Sequence, residues 1–113
     1  MAIDITVSEV QNALVFDVSG SINSITAIRL GEEFQSAAKK GKHKLVVVLN
    51  DVDYITSAGL RELMSALQTA RRGGGDLRLA TPSAKVAEVL DMTGFDRVLI
   101  SYATREEAVQ SFA

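Results

Sequence analysis

The sequence predicts an α/β fold, in which a small mixed sheet of about five strands packs with about four helices. Short apolar segments of strand character alternate with longer segments of helical spacing. The longest apolar run, residues 45–49, has no polar alternation, which is typical of a central strand covered on both faces. The first two strand segments are close enough for a hairpin. We therefore expect that pair to be antiparallel and the other strands to be largely parallel.

The first part of the chain predicts a hairpin and a helix. We expect strands over residues 3–10 and 13–19, because the short polar connection through Gln11 and Asn12 suits a tight turn. A helix over residues 24–40 ends in lysines followed by Gly41, a common helix stop. Its apolar side chains recur at mixed three- and four-residue intervals: Ile28, Leu30, Phe34 and Ala38.

The central strand and a second helix follow. The buried run at residues 45–49 leads into a polar turn at residues 51–54, and Ser57 begins the next helix. We expect Ser57 to cap this helix, because a serine oxygen there can accept a hydrogen bond from a free N–H of the first turn. Glycines at residues 73–75 end it. Its apolar stripe has the spacing i, i+3, i+4 and i+7: Leu60, Leu63, Met64 and Leu67.

The last part of the chain predicts two more strands and two more helices. Residues 76–80 form a strand, after which Thr81 and Pro82 serve as cap and first position of a helix that runs to about residue 92. A short strand is expected over residues 98–100, and residues 104–107 form a capping box that opens the terminal helix. Three side chains of these segments are assigned to the core: Met92, Val109 and Phe112.

Composition excludes several classes of function. The 113 residues, of which 47% are hydrophobic, suit one domain over residues 1–113. Twelve basic against fourteen acidic residues give a formal net charge of −2, which provides no overall basic field for nucleic acid or anionic lipid. The chain has no cysteine and one histidine, so we expect no metal site and no other cofactor. Without an export signal or a membrane-length apolar segment, the expected location is the cytoplasm.

Three further features receive the simpler structural interpretation. The glycine run at residues 73–75 closes a helix and opens a strand, the reverse of a phosphate-binding loop. The basic run at residues 39–44 is interpreted as a solvated helix end and turn. Asp51 and Asp53 are interpreted as carboxylates that satisfy backbone groups, and Ser57 has no candidate base nearby. We therefore expect no enzyme, and a weak nucleotide hydrolase would need a phosphate loop that the sequence lacks.

Four segments, in order, resemble the STAS domain family of anti-sigma factor antagonists. Residues 55–60, with the sequence Ile-Thr-Ser-Ala-Gly-Leu, resemble the family's phosphorylation-site segment, and residues 20–23, 74–79 and 89–95 resemble three of its turns and strand starts. The resemblance implies the STAS fold and a partner-switching function. In that function the unphosphorylated protein binds a serine kinase that is also an anti-sigma factor, and so releases the sigma factor. The resemblance assigns the phosphoacceptor to Ser57.

The resemblance also implies partners and a binding surface. Phosphorylation of Ser57 would block binding, and a metal-dependent serine phosphatase would restore it. Nucleotide and magnesium would belong to the kinase, and the protein itself is expected to be a monomer that binds no nucleic acid and inserts into no membrane. The partner-binding residues that the resemblance implies are Asn23, Asp51, Asp53, Tyr54, Thr56, Ser57, Ala58, Gly59 and Arg61.

The sequence departs from the family pattern at three positions. Thr56 replaces the usual acidic residue, Ala58 replaces a second hydroxyl residue, and Val48 lies where many members carry a carboxylate. Ser57 therefore has no adjacent hydroxyl on its carboxyl side and lacks the neighbouring carboxylates. Two other roles of such a domain stay open at this point: a binding subunit of a lipid-transport ATPase complex, and an antagonist in a partner-switching pathway whose output is not a sigma factor.

Overall fold

The computed structural model describes residues 3–113, so Met1 and Ala2 of the expected domain lie outside the described residues. The strands are β1 (Ile3–Val10), β2 (Ala13–Ile22), β3 (Lys44–Ile55), β4 (Asp76–Ala80) and β5 (Ser101–Tyr102). The helices are α1 (Thr26–Lys39), α2 (Ser57–Arg72), α3 (Ala84–Thr93) and α4 (Arg105–Gln110), with a 3-10 turn at Phe95–Arg97. This architecture confirms the predicted α/β class.

The sheet has the strand order β1-β2-β3-β4-β5. β1 and β2 are antiparallel and are joined by the predicted two-residue turn, in which Gln11 has a φ of 54°. The other neighbouring pairs are parallel, and a helix connects each of them. The carboxyl ends of β2, β3 and β4 therefore lie at one edge of the sheet, where α1, α2 and α3 begin.

The sheet buries an apolar cluster on each face. The larger cluster lies under α1, α2 and α3, and in it the rings of Phe16 and Phe34 pack edge to face at 5.0 Å between centroids. The smaller cluster lies under α4, a helix of six residues. Its buried members are Ala13, Val15, Val46, Val48, Ala80, Ala108 and Val109.

Strands β2 and β3 are longer than the sequence predicted. β2 extends to Ile22, and β3 continues to Ile55, so the predicted turn at residues 51–54 is wrong. The pairing of the two strands shifts register between Asp17 and Ser19 and again between Gly20 and Ser21. Such bulges break the two-residue alternation on which a strand prediction depends, yet they allow the polar ends of both strands to stay paired.

Helix α1 begins at Thr26, two residues later than predicted, because residues 24 and 25 form a turn that Asn23 holds. The Asn23 Oδ1 accepts hydrogen bonds from the backbone N–H of Ile25 and of Thr26, each at 2.9 Å. Ile28 lies outside the buried stripe and is 62% exposed. The residues of α1 that are buried are Thr26, Ala27, Leu30, Gly31, Phe34 and Ala37.

Helix α3 does not begin with Thr81 and Pro82. Ser83 is its N-cap, and its Oγ accepts from the Val86 N–H at 3.3 Å. Thr81 remains attached to the sheet, since its N–H donates to the Tyr102 carbonyl at 2.9 Å. The core position predicted for Met92 is also wrong. Met92 is 78% exposed, because Val86 and Leu90 form the buried side of this helix.

The end of the chain corrects one prediction and supports others. The predicted strand at residues 98–100 is wrong, because the backbone after the 3-10 turn folds back and the Leu99 N–H donates to the Phe95 carbonyl at 2.8 Å. The strand begins at Ser101. One half of the predicted capping box is confirmed, since the Thr104 Oγ1 accepts from the Glu107 N–H at 3.0 Å. The Glu107 carboxylate accepts from the Thr104 hydroxyl at 3.2 Å. Val109 is buried as predicted, and Phe112 is half-buried beneath the guanidinium of Arg78.

Candidate functional site

The candidate site lies at the sheet edge where α1 and α2 begin. Ile22 and Ile55, the last residues of β2 and β3, are paired directly. The Thr56 N–H donates to the Ile22 carbonyl at 2.9 Å, which ties the start of α2 to the end of β2. Because the two strands are parallel neighbours, the first turns of α1 and α2 lie side by side at this edge.

Ser57 is exposed at the first position of α2. The prediction that it caps the helix is wrong, because the N-cap is Thr56, whose backbone is extended with φ −96° and ψ 174°. The first helical hydrogen bond runs from the Leu60 N–H to the Thr56 carbonyl at 3.0 Å. The N–H groups of the three residues before Leu60 thus have no helical acceptor. No acidic residue lies in this turn, and the Ser57 hydroxyl makes no hydrogen bond within residues 3–113.

Thr56 leaves the N-terminus of α2 without a side-chain cap. Its Oγ1 is buried and has no hydrogen-bond partner in the part of the chain that the structure describes. A buried hydroxyl without a partner costs about 1–3 kcal/mol of stability. The free N–H groups at the start of α2 and their partial positive charge therefore remain open to a group attached at Ser57.

Gly59 and Ala58 position Ser57 against the strand ends. A Cβ atom at Gly59 would overlap the side chain of Ile22 and lie 2.8 Å from the Cγ1 of Ile55. Only glycine permits so close an approach of α2 to the two strands. Ala58 is half-buried against the larger cluster. Both residues of the predicted binding set thus have a structural role in holding the first turn of α2.

Three polar residues of the predicted set have internal partners. The Ser21 hydroxyl donates to the Asp53 Oδ1 at 2.6 Å, and the Asn23 Oδ1 accepts the two backbone hydrogen bonds described above. Asp51 accepts a hydrogen bond from Asn50 and lines a shallow hollow with Arg105 on the α4 side of the sheet. The structure therefore brings Asn23 and Asp53 to the edge that carries Ser57, whereas Asp51 belongs to the opposite face.

Three large apolar side chains are exposed at this same edge. Ile25 is 77% exposed, Ile28 62% and Tyr54 53%. Arg61 is exposed one helical turn after Ser57 and forms no ion pair with residues 3–113. We call these four residues together with Ser57 the Ser57 surface.

The binding set that the resemblance implied contains Tyr54 and Arg61 but neither Ile25 nor Ile28. The positions of the buried residues along α1 could have indicated that Ile28 is exposed. A buried stripe through Ala27, Leu30 and Phe34 turns Ile28 toward solvent.

Within residues 3–113, no three or more histidine, aspartate or glutamate side chains are grouped to hold a metal ion. In the same residues, no helix is both long and apolar enough to cross a membrane.

Comparison with known proteins assigns the family. The family model described as the STAS domain matches residues 4–108. This chain belongs to the STAS domain family. The match confirms the resemblance that residues 55–60 and the three other segments indicated, and the mixed five-stranded sheet with four helices is the STAS fold.

Several STAS domain proteins are similar over almost the whole chain. BtrV of Bordetella bronchiseptica, provisionally named an anti-sigma factor antagonist, is 31% identical over 96% of this chain and 93% of its own. The anti-sigma-B factor antagonist of Bacillus subtilis is 28% identical over 97% of this chain and 100% of its own. A crystal structure from Thermotoga maritima, described provisionally as an anti-sigma factor antagonist, has a TM-score of 0.89 and 28% identity. It covers 96% of this chain and 93% of that one.

Proposed function

We propose that this STAS domain protein is an anti-sigma factor antagonist that acts by partner switching. The unphosphorylated form binds a serine kinase that is also an anti-sigma factor, and this binding releases the sigma factor. Phosphorylation of Ser57 blocks the binding. The observation that carries the proposal is an exposed Ser57 hydroxyl that bonds to none of residues 3–113 and lies within a patch of exposed apolar side chains. The names of the relatives support the role of anti-sigma factor antagonist.

Binding of the unphosphorylated form is supported by the composition of the Ser57 surface. Large apolar side chains clustered at one edge gain free energy when a partner removes them from water, at about 25 cal/mol per Å² of apolar area. Tyrosine and arginine are enriched among residues that dominate protein interfaces, and Tyr54 and Arg61 are both exposed here. A partner can therefore cover Ile25, Ile28 and Tyr54 while Ser57 lies within the contact.

The effect of phosphorylation follows from charge. A phosphate adds about −1.5 to −2 charges at neutral pH. On Ser57 it would face the uncapped N–H groups at the start of α2, which stabilise an anion, with Arg61 one turn away. The fold can thus hold the modified form without rearrangement. The partner, in contrast, would have to bury this charge against apolar groups, which opposes binding.

The other components of the switch are separate proteins. We propose that the kinase supplies the nucleotide and magnesium, that a metal-dependent serine phosphatase removes the phosphate, and that the exchange takes place in the cytoplasm. In this proposal the chain functions as one STAS domain and as a monomer. It contributes a phosphoacceptor and a docking surface and performs no catalysis itself.

Phosphate transfer tests the proposal. The protein is incubated with ATP, magnesium and the anti-sigma serine kinases of the same source, and its intact mass is measured and the site mapped. We expect one added phosphate, located on Ser57 and absent in Ser57→Ala. An unmodified protein with every such kinase would contradict the proposal. Co-purification with an ATPase complex in that case would assign the protein to lipid transport instead.

A further inference from the structure

A cluster of basic side chains lies at the end of the sheet opposite the Ser57 surface. The carboxyl ends of α1 and α2 meet the first residues of β3 and β4 there, at the amino edge of the parallel strands. We call the basic residues of these segments the basic pole. They are Lys39, Lys40, Lys42, Lys44, Arg71 and Arg72.

The fold joins two segments that are distant in the sequence into this one surface. The Asp76 N–H donates to the His43 carbonyl at 2.9 Å. A Cβ atom at Gly75 would overlap the His43 backbone, and one at Gly73 would overlap the His43 ring, so the glycine run packs directly on the lysine-rich loop. A cavity of about 360 Å³ lies between them, lined in part by Lys42 and Lys44. Arg71 and Arg72 thereby come to lie beside the lysines.

The basic pole keeps a net positive charge after its local partners are counted. Glu9 pairs with Lys42 at 3.1 Å, and Asp76 pairs with Arg71 at 3.1 Å. The other four basic residues form no ion pair within the described chain. The negative ends of α1 and α2 offset about one further charge, so about three positive charges remain. The formal net charge of −2 for the whole chain does not reveal this local excess of positive charge.

The pole exposes no large apolar side chain that would anchor a folded protein, and its one aromatic ring, that of His43, is half-buried against Gly73. The large apolar side chains that are exposed within residues 3–113 all lie outside it: Val7, Ile25, Ile28, Tyr54, Met92, Val98 and Ile100. Protein interfaces have an apolar core, and single-stranded nucleic acid is held by aromatic side chains on which its bases stack. A layer of anionic lipid headgroups requires neither of these. It requires only clustered positive charge.

We propose that the basic pole docks this protein reversibly on an anionic membrane surface without insertion. The pole and the Ser57 surface lie at opposite edges of the sheet, so a protein docked in this way presents Ser57 away from the lipid. This docking is independent of the proposed switch at Ser57. Each basic residue near an anionic bilayer raises partitioning about fivefold, and the attraction fades as salt shortens the screening length.

Vesicle co-sedimentation tests the docking. The full chain is spun with vesicles of phosphatidylglycerol and phosphatidylcholine, and with vesicles of phosphatidylcholine alone, at low and at high salt. We expect binding only to the anionic vesicles and only at low salt. Lys39→Gln/Lys40→Gln should lower the partition coefficient about tenfold or more. Lys44→Gln/Arg72→Gln, which changes a different part of the pole, should have the same effect.

A matched control removes two exposed charges elsewhere. Lys85→Gln/Arg97→Gln lowers the net charge equally but leaves the pole intact, so it should bind like the wild type. Circular dichroism verifies that each variant is folded. The proposal is overturned if the wild type fails to sediment with anionic vesicles, or if the control loses as much binding as the pole variants. Binding to polyglutamate or duplex DNA without binding to vesicles would also overturn it.

Discussion

At the start of α2, the N-cap position and the exposed hydroxyl belong to two different residues, Thr56 and Ser57. Thr56 has the backbone geometry of an N-cap, yet its buried hydroxyl bonds to no residue of the described chain. Ser57 lies at the next position with its hydroxyl exposed. The donors of the first turn of α2 are therefore free, which favours a negative group on Ser57.

Thr56→Val tests the unbonded hydroxyl. Valine has the same shape and removes a buried polar group that has no partner, so we expect the free energy of unfolding to rise by about 1 kcal/mol. Urea denaturation measures it. Thr26→Val is the matched control, because the Thr26 hydroxyl donates to the Ser21 carbonyl at 2.7 Å and accepts from the Asn23 N–H at 2.8 Å. That variant should lose about 1–3 kcal/mol. Equal losses in both variants would contradict the description of Thr56.

Ile28→Ser tests the apolar part of the Ser57 surface. Because Ile28 is 62% exposed, its replacement should change the free energy of unfolding by no more than about 0.5 kcal/mol. The same change should weaken binding to the anti-sigma kinase about tenfold or more, measured by calorimetry. Met92→Ser is the control, since Met92 is 78% exposed on α3 and should leave binding unchanged. An equal effect of both variants would place the binding surface elsewhere.

Helix α2 was the element best predicted from sequence, and the carboxyl half of β3 was the worst. The apolar stripe through Leu60, Leu63 and Leu67 repeats with the helical period and is buried as predicted. Residues 51–54 looked like a turn because the register shifts between β2 and β3 disrupt the alternation. The pattern of a single strand contains no information about such shifts, which arise from the pairing of two strands.

Gly59→Ala tests how α2 is held on the strand ends. Alanine is the better helix former by about 1 kcal/mol, yet its Cβ would overlap Ile22 and crowd Ile55. We therefore expect a net loss of about 1–3 kcal/mol in the free energy of unfolding, measured in urea. Ser65→Ala, at an exposed position of the same helix, should be neutral or slightly stabilising. A gain in stability for Gly59→Ala would show that α2 does not pack as described.

At the scale of the whole molecule, the parallel strands separate two chemically different ends. The carboxyl edge carries the Ser57 surface, and the amino edge carries the basic pole. The sequence predicted the fold class, the position of Ser57 at the start of α2, and a solvated helix end and turn at the lysine run. It could not predict that Ile25 and Ile28 accompany Ser57, or that Arg71 and Arg72 join the lysines, because both groupings depend on contacts between elements distant in the chain.

Binding of the anti-sigma kinase to two forms of the protein tests the central claim most directly. Calorimetry compares the unmodified protein with the protein phosphorylated at Ser57, and Ser57→Ala serves as the control that cannot be modified. We expect Ser57→Ala to bind like the unmodified protein and the phosphorylated form to bind about a hundredfold more weakly, because the partner would bury an unpaired charge. Equal affinity of the phosphorylated and unmodified forms would contradict the proposed switch.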